Sequence, residues 1–474
     1  MSLNIKQQLI KNTLHQEIIS KIASLSDESK TPAYIVGGYV RDLMLKRNTK
    51  DIDIMVEGDG IEFAKKLSKI LNIDTVVVYE KFRTALIPHK DLEIEVASAR
   101  TEVYDAKSRK PQVKLTSIDE DLSRRDFTIN AMAISLNKDN YGDIIDPYNG
   151  LSDLNKKRII TPIDVDKTFS DDPLRMLRAI RFAAQLNFDI HKTLIKGIKK
   201  QKDRLKIISW ERITEEIIKS LKTDKPSIAF YLFKETNLLS YIFPEIDIMP
   251  GVEIIDGYGH KDVFIHTLQV VDNAAELTDK MEIRFAALVH DIAKPKTKRF
   301  VPKKGWTFHG HDSIGSHMIN TVAKRMKLSN KLKDYLKIMT KLHLRPIALV
   351  NKNITDSAVR RLMVEAGDCI DDLMILCRAD ITTKNEMKVK KYKDNFERVE
   401  QLMSNVNMRD QMRAFQSPVT GDEIMKILNL KPSKKIGDIK KTIESAILDG
   451  DIENTYDDAL KYLNTLKDTF LNKT

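Results

Sequence analysis

YIVGGYVRDLMLKRNTKDIDIMV, residues 34–56, decides how the first part of this chain folds. A β-branched run, residues 34–36, meets a Gly37-Gly38 turn. A helix-patterned stretch with Arg41 and Asp42 follows, then a second alternating run with Asp51 and Asp53. Residues i and i+2 of a strand share a face, so the two carboxylates project together while Ile52 and Ile54 enter a core. Like charges held that close repel, and a cation relieves them. Oxygen-only ligands suit Mg²⁺, which keeps several waters and completes its shell with substrate phosphates. Gly37 and Gly38, lacking Cβ, let backbone N–H groups approach a phosphate chain where the helix begins. The stretch therefore predicts a triphosphate site beside a Mg²⁺ site.

Working outward, IDTVVVY, TALIPH and LEIEVAS read as further short strands, with helical patterns at residues 39–47 and 61–71. This predicts an α+β domain with a mixed sheet over residues 1–150. An amphipathic helix over residues 5–25, with Ile5, Leu9, Ile18 and Ile22 near helical spacing, precedes it and ends at SLSDESKTP. Glu93 and Glu95 of LEIEVAS share a face, and either offers a third metal ligand. SRRDFTINAMAI places Arg124, Arg125 and Asp126 ahead of an apolar helix. DDPLRMLRAIRF begins a helix whose apolar stripe is Leu174, Leu177, Ile180 and Ala184, leaving Asp172 and Arg175 on the other side. From residue 151 onward strand signals nearly vanish and the chain reads as mostly helical.

The 474 residues are too many for one core, and 42% hydrophobic with 31% charged residues excludes disorder. Seventy-nine Lys and Arg against 68 Asp and Glu leave +11, which suits a polyanionic partner. Residues 151–220 concentrate it, with Lys192, Lys196, Lys199, Lys200, Lys202, Arg204 and Lys206 in one run. Cys369 and Cys377 make no disulfide framework, the opening MSLNIKQQLI lacks a signal peptide's apolar core, and no run is long enough to span a bilayer. The expectation is a cytoplasmic protein with no membrane partner.

In order and spacing, GGYVRD with DID, RRDFTINAMA, DDPLRMLRAIRF and SWERITEE resemble the class II nucleotidyltransferases, comprising CCA-adding tRNA nucleotidyltransferases and bacterial poly(A) polymerases. The resemblance covers roughly residues 30–225. It implies a polymerase β-like nucleotidyltransferase head over 1–150, and a helical neck and body over 151–250 that binds RNA and the base. It also implies metal-dependent transfer of CMP and AMP from CTP and ATP to a tRNA 3′ end. By the same resemblance Asp51 and Asp53 are metal ligands, and Glu95 is the third carboxylate, five residues before Arg100. Gly37, Gly38 and Arg41 hold the triphosphate; Arg124, Arg125, Asp126 and Asn130 hold phosphate and ribose. Asp172 and Arg175 read the base, with Arg178 also in the nucleotide site. A carboxylate accepts from an exocyclic amine and a guanidinium donates to the neighbouring ring nitrogen, an edge that cytosine and adenine share. One departure stands out: Asp171 occupies the place where the family usually has Glu. Poly(A) addition, or addition of only CC or only A, would use the same metal and phosphate motifs.

Seven of the ten histidines, His260, His266, His290, His309, His311, His317 and His343, fall within 84 residues. His266, the adjacent His290-Asp291 and the later Asp380 resemble the HD phosphohydrolase superfamily, a helical fold that binds divalent metal. His311 and His343 match the extra histidines of its two-metal members. The resemblance implies a metal-binding domain over 251–400, a divalent transition metal and phosphoester hydrolysis, with Ala293 where Gly is common after HD-Ile. A protein that is chiefly a phosphohydrolase is the alternative from another class. Residues 401–474 resemble the helical tail of CCA-adding enzymes, with Lys431, Lys434 and Lys435 beside Gly437 able to meet backbone phosphates.

Overall fold

The computed structural model describes residues 5, 13–49, 51–89, 92–103, 112–349, 356–405 and 417–471, so Leu9 lies outside them. The chain forms two compact units that interleave: Met1–Ser220 with Tyr231–Leu238, and Leu221–Phe230 with Leu239–Thr474.

The first unit opens with α1 (Thr13–Ser29) and β1 (Ala33–Val36), then α2 (Gly38–Met44), β2 (Asp51–Val56) and α3 (Gly60–Ile70). Helix α1 runs through the polar stretch expected to end it. Leu25 continues the buried stripe of Ile18 and Ile22, and the helix stops only where Lys30 turns left-handed at φ 51°. Strands β3 (Val77–Tyr79), β4 (Thr84–His89) and β5 (Leu92–Ser98) follow, and β3 is shorter than the apolar run predicted. The hairpin β6 (Arg100–Val103) and β7 (Gln112–Leu115) was not legible in the sequence. Helix α4 (Ile118–Ser123) then leads to β8 (Ala133–Ser135) and β9 (Ile144–Ile145).

The seven-stranded sheet runs β3-β4-β5-β2-β1-β8-β9, with β2 parallel to β5 and antiparallel to β1, a mixed sheet as expected. One face, with Ile35, Ile52, Ile54, Ile94 and Val96, packs with Ile18, Ile19 and Ile22 of α1 and with Phe63 and Leu67 of α3. The opposite face, with Tyr34, Val36 and Met55, takes Ile118 and Leu122 of α4. Asp51 and Asp53 share this second face by strand alternation.

One expectation fails here. Arg124, Arg125 and Asp126 follow a helix, α4, and precede only a 3₁₀ turn, Thr128–Asn130, while the apolar residues beyond it enter β8, pairing Ala133 with Val36 of β1. A run buried on both faces carries no periodicity to tell strand from helix.

Helices α5 (Val165–Asp171), α6 (Arg175–Leu186), α7 (Lys192–Gln201) and α8 (Trp210–Leu221) follow. The predicted stripe of α6 is buried, and Lys192, Lys196, Lys199 and Lys200 of α7 face solvent. In the second unit α9 (Val263–Leu277) and α10 (Met281–Val289) precede a hairpin, β10 (Arg299–Val301) and β11 (Gly305–Thr307). Then come α11 (His311–Met326), α12 (Asn330–Leu342) and α13 (Ile370–Ala379). Toward the end, α14 (Gly421–Leu428), α15 (Lys434–Asp449) and α16 (Tyr456–Leu471) share a small core around Ile439 and Ile443.

Buried Arg284 on α10 spends all five donors. Its Nε bonds Thr278 O, its Nη atoms bond Leu221 O, Thr223 O and Ala275 O, and one also bonds the Asp279 carboxylate. It thereby grips the 221–230 segment. Among the described residues no helix is long and apolar enough to cross a membrane.

Candidate functional site

The first unit contains a cavity of about 620 Å³, within the range typical of ligand sites. Twelve of the thirteen residues predicted for the nucleotide and metal site line it: Gly37, Gly38, Arg41, Asp53, Glu95, Arg124, Arg125, Asp126, Asn130, Asp172, Arg175 and Arg178. Asp51 does not line it and is exposed two residues before Asp53. Parallel pairing sets Asp53 beside Glu95 and Asp51 beside Glu93. Burial first, then Glu95 and Asp51, push the Asp53 carboxyl up to about 6 despite Arg125 and Arg41 nearby. The donors are all oxygen and carry more negative charge than the pocket comfortably holds, so they fit a hard divalent cation.

Gly37 adopts φ 70°, and a Cβ there would lie 2.8 Å from an Arg125 Nη and 3.6 Å from Asp53 Oδ2. The positive φ favours glycine here, and a side chain would also push the Arg125 guanidinium away from the turn. Arg41 is buried, chelates Asp42 through Nε and Nη2, and donates at 2.8 Å to Asn130 Oδ1. Asn130 in turn donates to Asp126 Oδ1 at 3.0 Å, and Arg178 holds Asp126 Oδ2 at 2.8 and 2.5 Å. Burial works to raise Asp126, but Arg178, the Asn130 hydrogen bond and Arg175 outweigh it and hold the carboxyl below its usual range. Arg178 is thus a buttress for Asp126 as well as part of the cavity wall.

Asp172 caps the turn into α6, accepting from Leu174 N at 3.1 Å through Oδ1, while Oδ2 pairs with Arg212 of α8 at 2.8 Å. Arg175 donates to Arg124 O at 2.5 Å and to Thr168 O at 3.4 Å, so backbone carbonyls orient it.

Sequence reading missed three supports. Asp121, its side chain 4% exposed, pairs with both Arg124 and Arg125 at 2.8 and 3.3 Å. Its signal was there, since an acid three and four positions before two basic residues sits on their side of a helix. Phe182 lies under Arg41, Arg178 and Arg181, whose guanidinium carbons stand 5.1, 5.4 and 4.0 Å from its ring centre. Arg212 was visible only as part of SWERITEE.

In the second unit four of the seven clustered histidines converge with Asp291 and Asp380. Two sets of three, His266 with His290 and Asp380, and Asp291 with His311 and His343, each bring their ligand atoms within 4.8 Å of one another. Asp291 serves both: Oδ2 stands 3.4 and 3.1 Å from Nε2 of His266 and His290, and Oδ1 stands 3.3 and 3.7 Å from Nε2 of His311 and His343. His260 lies outside these sets, as do His309 and His317, the last two being exposed.

The tautomers follow from the other ring nitrogen. Nδ1 of His290, His311 and His343 lies 2.8, 2.7 and 2.7 Å from the carbonyls of Ala287, Phe308 and Thr340. A carbonyl only accepts, so each Nδ1 carries hydrogen and each neutral Nε2 turns a lone pair inward. His311 and His343 then set two such nitrogens 3.3 Å apart, an arrangement that needs a proton or a cation between them. His290 Nε2 and both Asp291 oxygens are buried with no hydrogen bond; Lys294 Nζ, 2.5 Å from Oδ2, is close enough for an ion pair but not aligned to donate. Burial and His290 hold His343 down at about 4, while Asp291 and Asp380 overcome burial and lift His266 to about 9. The nitrogen and carboxylate donors fit divalent metal, which these six residues would hold.

These features define a nucleotidyltransferase head joined to a histidine–aspartate metal-binding fold. Sequence profiles agree: "Poly A polymerase head domain" matches residues 33–160, "Probable RNA and SrmB-binding site of polymerase A" residues 187–249, and "HD domain" residues 263–385. The multifunctional CCA protein of Pseudoalteromonas atlantica is 34% identical over 76% of this chain and 87% of its own length. The CCA-adding enzyme of Blochmanniella pennsylvanica is 32% identical over 73% of this chain and 84% of its own. The solved Thermotoga maritima CCA-adding enzyme complexed with tRNA has a TM-score of 0.59 over 98% of this chain and 99% of that one, and at 22% identity that likeness is one of fold. The chain belongs to the CCA-adding enzyme family and is a nucleotidyltransferase.

Proposed function

We propose that this chain adds CMP and AMP from CTP and ATP to the 3′ end of tRNA, releasing pyrophosphate. The observation that carries the reading is the single cavity where the Gly37 turn, the Asp53–Glu95 carboxylates, the arginines and the Asp172–Arg175 pair meet. In the reaction the RNA 3′-hydroxyl oxygen bonds the α-phosphorus, the bond to the pyrophosphate oxygen breaks, and the hydroxyl proton leaves to solvent. Asp51 and Asp53 would hold Mg²⁺, with Glu95 alongside; when bound, such an ion would neutralise phosphate charge and lower the pKa of the attacking hydroxyl. Arg41, Arg124 and Arg125 position the triphosphate, with Asp121 bracing the last two. Asp126 and Asn130 face the sugar, and Arg178 steadies Asp126. For Asp172 to accept from a base amine, Arg212 gives up one ion pair, which an exposed guanidinium does at small cost.

Incubation of tRNA lacking its 3′ end with CTP and ATP, followed by product sequencing, tests this. Two C and one A, then arrest, is the expected outcome. Unlimited A, or C alone, would assign poly(A) or partial addition instead. The exposed lysines of α7 and those at the start of α15 support backbone contacts to the tRNA, and the four segments 1–150, 151–250, 251–400 and 401–474 divide the labour as head, neck and body, metal-binding domain and tail. We assign the work to the cytoplasm, in keeping with two free cysteines.

A second reading, favoured by the orphaned polar atoms of His290 and Asp291, is phosphoester hydrolysis at the histidine centre. His266, His290, Asp291, His311, His343 and Asp380 would hold transition metal there, which when bound activates water for attack on phosphorus.

A further inference from the structure

On the face of the seven-stranded sheet that carries the carboxylates, one row of paired residues runs Asp53, Glu95, Leu86, Val77 across β2, β5, β4 and β3, and the next runs Met55, Ala97, Thr84, Tyr79. Directly paired residues share a face, so Val77 and Tyr79 stand on the side of the carboxylates, roughly 14 Å from the β2 row at the usual strand spacing. Val78 points the other way and packs on the core shared with α1 and α3. An apolar side chain on a sheet face is normally covered. Here Val77 is 40% exposed and Tyr79 47%, Leu86 is half-buried between Val77 and Glu95, and Phe82 in the 3₁₀ turn that follows, Glu80–Phe82, is 50% exposed. Scattered apolar residues need no explanation, but a contiguous set beside a catalytic cavity marks an interaction surface.

The patch is tied to the cavity. Thr84, a cavity wall, donates Oγ1 to Phe82 O at 3.1 Å, and Ser98 N donates to Arg83 O at 3.1 Å, fixing the turn to the end of β5. Lys81 Nζ lies 5.6 Å from the centre of the Phe82 ring, and Lys81 and Arg83 are both exposed, so cations rim the rings. The groups assigned to the triphosphate gather on the β1 side of Asp53: Gly37 ends β1, Arg125 lies against it, and Arg41 bonds Asn130. In strand order β5, β4 and β3 lie on the other side. In-line attack brings the nucleophile from the side away from the departing pyrophosphate. A 3′-hydroxyl reaching Asp53 and Glu95 therefore arrives across β4 and β3, with its own chain trailing over Tyr79 and Phe82.

We propose that Val77, Tyr79 and Phe82 form a stacking platform for the single-stranded RNA end, taking bases just upstream of the 3′-hydroxyl while Lys81 and Arg83 meet their phosphates. The proposal rests on the reading of the head as extending a tRNA 3′ end. Aromatic faces accept any base, so the platform holds the growing end whichever nucleotide was added last, and choice of the incoming base stays with Asp172 and Arg175.

The full-length protein is tested with tRNA ending in CC and with the same tRNA whose last two nucleotides lack their bases, at saturating ATP and Mg²⁺. The wild type should show a lower KM for the tRNA that keeps its bases. In the double variant Tyr79→Ala, Phe82→Ala, checked for an unchanged melting transition, that preference should shrink by roughly ten- to hundredfold, the range of one stacked base, with KM for ATP unmoved. Tyr79→Phe combined with Phe82→Tyr should keep it. Lys81→Gln should raise KM for both tRNAs alike, as loss of a phosphate contact does. Filter binding of the two tRNAs without ATP reads the platform apart from the chemistry. A base-dependent Kd that the double alanine variant loses, in a protein that adds no nucleotide, sustains the platform while ending the reading of tRNA extension. A preference that stays within about twofold of wild type in the double alanine variant overturns the proposal. So does an equal rise in KM for ATP and for both tRNAs, which would make the patch a support of the cavity.

Discussion

Asp53→Asn keeps the shape of the carboxylate but removes the charge that a cation needs, so nucleotide addition should fall about a thousandfold with the fold intact. Incorporation rate together with circular dichroism checks this. Asp126 makes a different prediction, because its carboxyl is a structural hub between Arg178 and Asn130. Asp126→Ala should destabilise the first unit by about 1–3 kcal/mol, less than a fully buried pair because Arg178 is one-third exposed. The folded carboxyl lies below its unfolded value of 3.8, so its stabilisation is fully present above that pH and fades as pH falls through the folded value. Urea unfolding of both proteins should show the full difference at pH 6 and a shrinking one below about pH 4. The carboxylates of this site could be found in the sequence because their pattern is local. Asp121 and Phe182 act on partners that only the fold gathers.

At the scale of elements, the Gly37 turn joins β1 to α2; its positive φ strains any side chain, and a Cβ there would meet the Arg125 guanidinium. Gly37→Ala should cost about 1–3 kcal/mol from the conformation alone and should displace Arg125, raising KM for nucleoside triphosphate more than it lowers kcat. Thermal melts and steady-state kinetics separate the two effects. Strands β1, β2, β4 and β5 were legible because alternating burial leaves a period of two. β8 was not, since Ala131 through Leu136 is buried on both faces. The end of α1 was misplaced for the opposite reason: serines and acids look like a stop, yet Leu25 remains in the core and Ser29 Oγ satisfies its own helix by bonding Leu25 O at 2.6 Å. The hairpin β10–β11 gave no signal as a strand pair, because three-residue strands fall below any readable period.

For the whole molecule, the two centres belong to separate compact units, so they should fail separately. Asp291→Ala should abolish phosphoester cleavage and leave CMP and AMP addition within about twofold; radiolabelled incorporation alongside phosphate release decides it. Micromolar Mn²⁺ or Co²⁺ should raise the melting temperature of the wild-type second unit by several degrees, as any ligand bound only by the folded state does, and Asp291→Ala should lose that response. Calorimetry before and after chelation gives the comparison.

The Arg284 guanidinium also governs how the polypeptide can be dissected. A proteolytic or recombinant cut at residue 250 would remove Leu221 and Thr223 along with the head. The carboxyl-terminal remainder would then hold a charged group in its interior with two acceptors gone. Workers seeking an autonomous metal-binding piece would do better to start upstream of 221, retaining the segment that this one arginine keeps moored.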